Sequence, residues 1–240
     1  MNMAIDEALL SRAARVREGV LRVYGWRTPT LSLGRHQVAR DAFDPAKAAA
    51  VGVSLVRRLT GGRALLHWHE VTYSVTAPLE ADARTESYPA INALLLDALL
   101  HLGVRATIAE RTGRLPSPAS APCFERPAEG EIMFDGRKLV GSAQFRGESS
   151  VLQHGSILIG DDQAMVSQLA VRPVGSVAAA ATLVQSLGRV PGFDEVADAL
   201  SRALASRTSA SVASFDASVL ESDVVRLCKR YESDAWTWER

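Results

Sequence analysis

Two adjacent glycines flanked by arginines stand in the stretch RRLTGGRA at residues 57–64. Backbone N–H groups at glycines can approach a ligand closely, and several such donors form a concave site for an anion or a carbonyl oxygen. Nearby guanidinium groups would strengthen the binding of a phosphate. An ordinary glycine turn with surface arginines has the same spacing. The stretch alone therefore leaves both interpretations open.

Three histidines could take part in chemistry. His67 and His69 are followed directly by Glu70, but this order differs from the helical His-Glu-x-x-His pattern of zinc proteases, and no further ligands cluster nearby. We expect no metal here, and instead a structural or substrate-orienting use of His67 and Glu70. His154 lies in the sequence QHGS, where a hydrogen-bonded core histidine is the more common case.

Cys123 follows a stretch rich in proline and serine, residues 112–122, which is predicted to be an ordered loop or a lid. A free cysteine is more often a small buried residue than a nucleophile. Loop residues tend to carry function, however, and Lys138 in the neighbouring predicted hairpin could stabilise a thiolate. Whether the two residues meet in space is left open by the sequence. The second cysteine, Cys228, lies on the apolar face of the last helix and is expected to pack.

Lys138 belongs to the sequence GRKLVGSAQ, which follows an Asp-Gly turn. Strict strand alternation would place Lys138 on the same face as Val140 and Ser142, with Gly141 on the opposite face. A lysine near a hairpin turn is usually solvated, so a catalytic use needs further support.

The elements that must position these residues follow from hydrophobic periodicity and turn residues. Helices are predicted from Asn2, a candidate cap, to Gly19, and over residues 44–51, 89–102, 162–170, 177–187, 194–206 and 217–231. Strands are predicted over residues 20–26, 30–33, 53–56, 71–76, 132–134, 139–145 and 151–159. Strands followed by a run of helices indicate an α+β fold, with a mixed or antiparallel sheet and flanking helices. We expect one domain over residues 1–240.

Composition narrows the function classes. The 27 basic and 27 acidic side chains cancel, so nucleic acid is not an expected partner. No apolar run reaches the roughly 18–20 residues of a membrane span, and the N-terminus lacks the features of a signal peptide. Two distant cysteines form no disulfide framework. A cytoplasmic location without membrane association is expected.

Taken together and in this order, the motifs resemble the biotin/lipoate protein ligase and octanoyltransferase family. The resemblance is carried by the glycine-loop sequence at residues 57–74, the lysine hairpin at 136–144, the strand LQHGSIL at 152–158, and the two ends, NMAIDE at 2–7 and YESDAWT at 231–237. It covers nearly the whole chain. Arg63, Glu70 and the Cys123-Phe124 pair make the chain most similar to the cysteine-dependent octanoyltransferases.

This resemblance implies the class II synthetase-like catalytic domain of biotinyl and lipoyl protein ligases and transferases. It implies that Cys123 accepts octanoyl from octanoyl-acyl-carrier protein, with Lys138 as its charged partner. The acceptor would be the lysine of an apo lipoyl domain, in the glycine-cleavage H protein or an E2 domain. No metal and no cofactor are expected, and the protein is expected to be a monomer. The implied substrate-binding residues are Arg58, Thr60, Gly61, Gly62, Arg63, His67, Gly141, Ser142, His154 and Gly155.

Three alternatives remain. An ATP-dependent lipoate–protein ligase would use ATP and Mg, with Lys138 holding the acyl-adenylate and Cys123 incidental. An amidotransferase would move octanoyl between two carrier domains, and a non-catalytic protein would only bind acyl groups or carrier domains. The chain ends at Arg240, so no accessory C-terminal domain is expected. Family members usually have a short strand before the N-terminal motif, so either the start is shortened or an edge strand of the acyl-binding sheet is lost.

Overall fold

A computed structural model describes residues 1–80, 86–109, 130–172 and 178–239. The helices are α1 (Asn2–Val16), α2 (Pro45–Ala50), α3 (Ser87–His101), α4 (Met165–Gln168), α5 (Leu183–Leu187), α6 (Phe193–Arg207), α7 (Glu221–Tyr231) and α8 (Asp234–Thr237), with a 3-10 turn over Ala217–Leu220. The strands are β1 (Val20–Tyr24), β2 (Thr30–Leu33), β3 (Ser54–Arg57), β4 (Leu65–His67), β5 (Glu70–Pro78), β6 (Thr107–Ile108), β7 (Ile132–Phe134), β8 (Arg137–Arg146) and β9 (Ser150–Leu158). Within these ranges, no helix combines the length and apolarity needed to cross a bilayer.

The strands form two sheets. The large sheet has the order β1-β5-β9-β8-β7-β6 and is antiparallel throughout. The small sheet has the order β3-β2-β4, in which β2 runs parallel to β3 and antiparallel to β4. The predicted α+β fold with a mixed or antiparallel sheet and flanking helices is therefore confirmed. The sequence pattern did not predict the division into two sheets or strand β4, which has only three residues.

The main hydrophobic core lies between one face of the large sheet, which we call the core face, and helices α3 and α6. Its fully buried members include Tyr73, Leu95, Val140, Ile157 and Leu200. The amphipathic pattern predicted for α3 explains this placement, since its apolar side chains point to one side and are buried together.

The opposite face of the large sheet, which we call the site face, carries polar side chains and packs against α1. The strand register places Arg22 opposite Ser74, and Ser74 opposite His154. Directly opposed residues share a face in an antiparallel sheet. Ser74 and His154 are buried here, so this layer depends on internal hydrogen bonds.

The start of α1 differs from the expected cap. Asn2 lies inside the helix, and Met1 takes the cap position without a side-chain bond. The Asn2 side chain instead donates to the Gly25 carbonyl at 3.3 Å and accepts from Arg22 at 2.7 Å. The predicted capping role is wrong because these tertiary bonds to and beside β1 hold the side chain of Asn2.

Glycine is needed at position 155, where β9 lies between β8 and β5. A Cβ at this position would lie 2.5 Å from the Gly141 carbonyl oxygen and 2.7 Å from Cε1 of Tyr73. The space allows the Tyr73 hydroxyl and the Ser142 hydroxyl to share a hydrogen bond of 2.7 Å on the core face. A side chain here would therefore separate the two neighbouring strands or displace the tyrosine.

We expect Gly155→Ala to lower the free energy of unfolding by about 1–3 kcal/mol, because the added methyl overpacks the sheet. Denaturant titration would measure the change. Gly25→Ala is the matched control, since a Cβ there meets no heavy atom within 4 Å. Equal stability of the two variants would contradict the close packing described for Gly155.

Candidate functional site

The glycine loop is shaped by the buried side chain of Arg58. Its Nη2 donates to the carbonyls of Gly61 and Arg63, at 2.8 and 2.7 Å, and its Nη1 donates to Ser32. Gly62 has a φ of +92°, and a Cβ there would lie 2.8 Å from Nη2 of Arg58. Glycine is therefore required both by the backbone angle and by the guanidinium. Arg58 sets the form of the loop, while its predicted contact with substrate stays a prediction.

A second arginine, Arg57, supports the backbone beside the glycine loop. Arg57 is fully buried, and it donates to the carbonyl of Gly34 at 2.6 Å and to that of Thr237 at 3.0 Å. Trp236 donates in turn to the Arg57 carbonyl at 2.8 Å. A Cβ on Gly34 would lie only 1.9 Å from the Gly62 carbonyl oxygen. Arg57 thus links the C-terminal segment to Gly34, and the backbone of Gly34 packs directly against Gly62 of the glycine loop.

Thr60 connects the loop to the large sheet. Its hydroxyl lies 2.6 Å from Nε2 of His154, and Nδ1 of the same ring lies 3.2 Å from Asp6. All three residues are buried. The Asp6 carboxylate accepts further hydrogen bonds from Arg22, Tyr24 and Ser74. Helix α1, the sheet and the glycine loop are therefore joined by one chain of hydrogen bonds.

Burial determines the protonation along this chain. It lowers the pKa of His154, against the opposing effect of the Asp6 carboxylate. Burial would also raise the pKa of Asp6, but the hydrogen bond from His154 and the charge of Arg22 outweigh it, so the Asp6 pKa is lowered. Asp6 is then ionised and His154 neutral near pH 7. The ring donates from Nδ1 to Asp6, and Nε2 accepts from the Thr60 hydroxyl.

A similar chain reaches the loop from the small sheet. Glu70 lies 2.9 Å from Nδ1 of His67, and Nε2 of that ring lies 2.8 Å from the Ser32 hydroxyl. Ser32 also accepts from Arg58 at 3.0 Å. Trp26 stacks on the His67 ring with centroids 4.4 Å apart. His67 and Glu70 therefore take part in the internal bonding that supports Arg58.

His69 has different surroundings. Its side chain is 63% exposed and lies 3.2 Å from Asp162. In the part of the chain that the structure describes, no three His, Cys, Asp or Glu side chains are arranged to hold a metal ion. That the reaction needs no metal stays a prediction.

A β-bulge sets the direction of Lys138. Met133 pairs with Lys138, but the preceding Ile132 pairs with Val140, so β8 contains one extra residue, Leu139. Ile132, Leu139 and Val140 all belong to the core cluster. Met133 follows Ile132 and points to the other face, and Lys138 is directly opposite Met133. The bulge thus turns Lys138 away from the hydrophobic core.

The prediction that Lys138 shares a face with Val140 and Ser142 is therefore wrong. Alternation is interrupted by the bulge, a feature that commonly redirects a side chain near a functional site. Lys138 instead shares the site face with Gly141, and across the sheet with His154. Its side chain is buried, and Nζ lies 2.5 Å from Oε1 of Glu131, also buried.

The structure brings most of the predicted site residues together, but not in one role. Arg58, Thr60, Gly61, Gly62 and Arg63 form the glycine loop. His154 bonds to the loop itself, and His67 bonds to Ser32, a hydrogen-bond partner of the loop. Ser142 and Gly155 lie on the core face, beside Tyr73, whereas Gly141 lies on the site face.

Cys123 lies outside the described residues, as does the predicted loop at 112–122. Its distance from Lys138 therefore stays a prediction. Cys228 is confirmed as a packing residue of the cluster between α1 and α7. Sequence reasoning missed Asp6 as a partner of His154, the role of Gly34, and Glu131. Of these, only Asp6 had a signal, since it belongs to the N-terminal motif.

Comparisons with known proteins find a matching domain family and several named relatives. The model of the lipoyl protein ligase A/B catalytic domain matches residues 1–205. Octanoyltransferase LipM of Carboxydothermus hydrogenoformans is 46% identical over 163 residues, a match that covers 66% of this chain and only 60% of that relative. Octanoyltransferase LipM of Exiguobacterium sp. is 36% identical over 261 residues, covering 100% of this chain and 94% of the relative.

Among solved structures, protein Ta0514 from T. acidophilum, determined with bound lipoic acid, has the same fold. Its TM-score is 0.79 at 23% sequence identity, and the match covers 100% of this chain and 93% of that one. At this identity the likeness establishes the fold alone.

The buried neutral His154 makes stability depend on pH. Its pKa is lowered in the folded protein from an ordinary value of 6.5, so below that pH the unfolded chain binds a proton that the folded chain does not. We expect the free energy of unfolding to fall from about pH 7 to about pH 5, by up to about 1.4 kcal/mol per pH unit. His154→Gln cannot take up this proton and should flatten the decrease.

Denaturant titrations at several pH values would measure these slopes. His36→Gln is the control, because it replaces an exposed histidine and leaves the buried His154 in place. An undiminished slope in the His154 variant would show that another group causes the pH dependence.

Proposed function

Because the chain belongs to the lipoyl protein ligase A/B catalytic domain family, we propose that it is an octanoyltransferase. It takes octanoyl from octanoyl-acyl-carrier protein and transfers it to the target lysine of a lipoyl-carrier domain, in the glycine-cleavage H protein or an E2 domain. The relatives named octanoyltransferase support the reaction class. The observation that carries the mechanism is the buried Lys138, which the bulge directs to the site face.

In the first half-reaction, the thiolate of Cys123 attacks the carbonyl carbon of the donor thioester. The new bond joins octanoyl to Cys123, and the carrier protein departs as a thiolate, so one thioester replaces another. The Lys138 ammonium stabilises the negative charge that develops on the carbonyl oxygen, and also favours the thiolate form of the cysteine. The approach of Cys123 to Lys138 is part of the proposal.

In the second half-reaction, the neutral amine of the acceptor lysine attacks the acyl-enzyme. An amide bond forms, the bond to Cys123 breaks, and the proton lost by the amine passes to the departing sulfur or to water. Conversion of a thioester to an amide is downhill. The transfer therefore requires no ATP, metal or other cofactor.

The shape of the site face supports an acyl chain beside Lys138. On β8, the two residues that follow on this face are Gly141 and Ala143, and Ala143 lies opposite His154 on β9. Small side chains leave room for a ligand close to the sheet. Burial of the octanoyl chain would contribute about 0.8 kcal/mol per methylene. The glycine loop is held on this side through the Thr60–His154 hydrogen bond.

We expect the wild-type protein, mixed with octanoyl-acyl-carrier protein, to gain the mass of one octanoyl group on Cys123. Cys123→Ser should lose both the thioester and the transfer, because a serine hydroxyl is a far weaker nucleophile than a thiolate. Intact-mass spectrometry and peptide mapping would locate the adduct. Cys228→Ser is the matched control, since Cys228 packs between α1 and α7 and its variant should form the adduct normally.

Two results would contradict the proposal. One is transfer by Cys123→Ser at the wild-type rate with no wild-type adduct. The other is activity that requires free octanoate or lipoate with ATP and releases pyrophosphate, which would identify a ligase.

A further inference from the structure

The proposed catalytic lysine, Lys138, forms a buried ion pair with Glu131. Glu131 and Lys138 are 6% and 2% exposed, and Oε1 and Nζ lie 2.5 Å apart. A charge so far from water is costly unless an opposite charge and hydrogen bonds compensate it. Because both charges are buried, the fold itself must bring them together, and the pair is not a chance contact at the surface.

We propose that Glu131 is the positioning residue of Lys138, which holds its amine in the charged form and fixes Nζ on the site face. The meaning of this pair for catalysis rests on the proposed octanoyl transfer. Glu131 does not contact the reacting atoms in this scheme, but acts through the lysine.

The backbone geometry explains how the two side chains meet. Glu131 precedes β7 and is two residues from Met133, so both side chains point to the site face. Met133 is directly opposite Lys138, which makes Glu131 a diagonal neighbour of the lysine. Without the bulge, Lys138 would point into the hydrophobic core. The extra residue Leu139 is thus what brings the lysine to the carboxylate.

Both backbones are held in place. The Glu131 carbonyl accepts a hydrogen bond from the Ala109 N–H at 2.8 Å, at the edge of the sheet. The Lys138 carbonyl accepts one from the Ala181 N–H at 2.9 Å. A lysine side chain has a flexible four-carbon stem, so an anchored carboxylate is an effective way to place its ammonium.

The charge matters as much as the position. Burial disfavours an ammonium group, and a neighbouring carboxylate favours it. A neutral Lys138 could not stabilise a thiolate or a developing oxyanion. It would also be a nucleophile itself. Its amine would attack the acyl thioester, form an amide on Lys138, release the thiolate and lose a proton, which would leave the enzyme permanently acylated.

The test compares Glu131→Gln with Glu131→Asp. Gln keeps the size and loses the charge, whereas Asp keeps the charge with a shorter reach. We expect kcat to fall on the order of 100-fold in the Gln variant and about tenfold in the Asp variant, as for a displaced catalytic group. KM for octanoyl-acyl-carrier protein should stay within about twofold, since uniform substrate binding is not removed.

A second measurement separates this role from a structural one. After incubation with octanoyl-acyl-carrier protein, the Gln variant should accumulate octanoyl on Lys138 as an amide that resists hydroxylamine. The wild-type and Asp proteins should carry only the hydroxylamine-sensitive thioester. Glu195→Gln is the matched control, because it removes the charge from a surface pair with Arg189, 2.5 Å long. Its transfer rate should equal that of the wild type.

The outcomes are distinguishable. A Gln variant as active as the Asp variant or more so, without the amide on Lys138, would overturn the role of Glu131 and leave the transferase proposal standing. Wild-type activity that depends on ATP, with no Cys123 adduct, would overturn the transferase proposal. The same order of Glu, Asp and Gln in that ATP-dependent reaction would still support the inference. If Glu131→Gln does not fold, the Asp variant decides: a kcat about tenfold lower with KM within about twofold supports the positioning role, and a wild-type kcat overturns it.

Discussion

The carboxylate of Asp6 holds four elements of the fold together. It extends from α1 and accepts hydrogen bonds from Arg22 and Tyr24 on β1, from Ser74 on β5 and from His154 on β9. A buried carboxylate is tolerated only where donors surround it, so α1 has one favourable place on the sheet. The hydrogen bonds of Asp6 therefore fix the position of α1 on the site face, beside the residues at which chemistry is expected.

Two hydrogen-bonded chains hold the glycine loop. One leads from Asp6 through His154 to Thr60. The other leads from Glu70 through His67 and Ser32 to Arg58. In each chain an imidazole lies between a carboxylate and a hydroxyl group. The loop backbone is thereby held by groups with few alternative partners, which suits a site whose N–H donors must be aligned before the ligand arrives.

Local patterns were sufficient for much of the fold. The predicted strand at residues 30–33 coincides with β2, and the Asp135-Gly136 turn was expected because both positions favour a positive φ, which they have at 50° and 68°. The bulge at Leu139 could not be predicted, since alternation assumes a regular strand. It decides the face of Lys138, so one irregularity reversed a conclusion about the site.

The motifs likewise identified residues of the site, whereas their hydrogen-bond partners became known only from the structure. Substrate binding by Arg58 and His67 stays a prediction, and the structure adds hydrogen bonds through which both residues support the loop from within. Ser142 and Gly155 lie on the core face, where the Tyr73 hydroxyl needs a partner and space. Such roles depend on contacts between residues far apart in sequence, as between Asp6 and His154, and no local pattern contains that information.

The hydrogen bond from Arg57 to the Thr237 carbonyl has a consequence for the order in which the protein is completed during translation. The arginine is synthesised long before its acceptor, which is 180 positions later in the chain. Contacts of such sequence separation form late, because a long loop must close first. The nascent chain can therefore assemble much of its sheet before this one support of the glycine loop forms, because the bond to Thr237 must wait until that residue has left the ribosome.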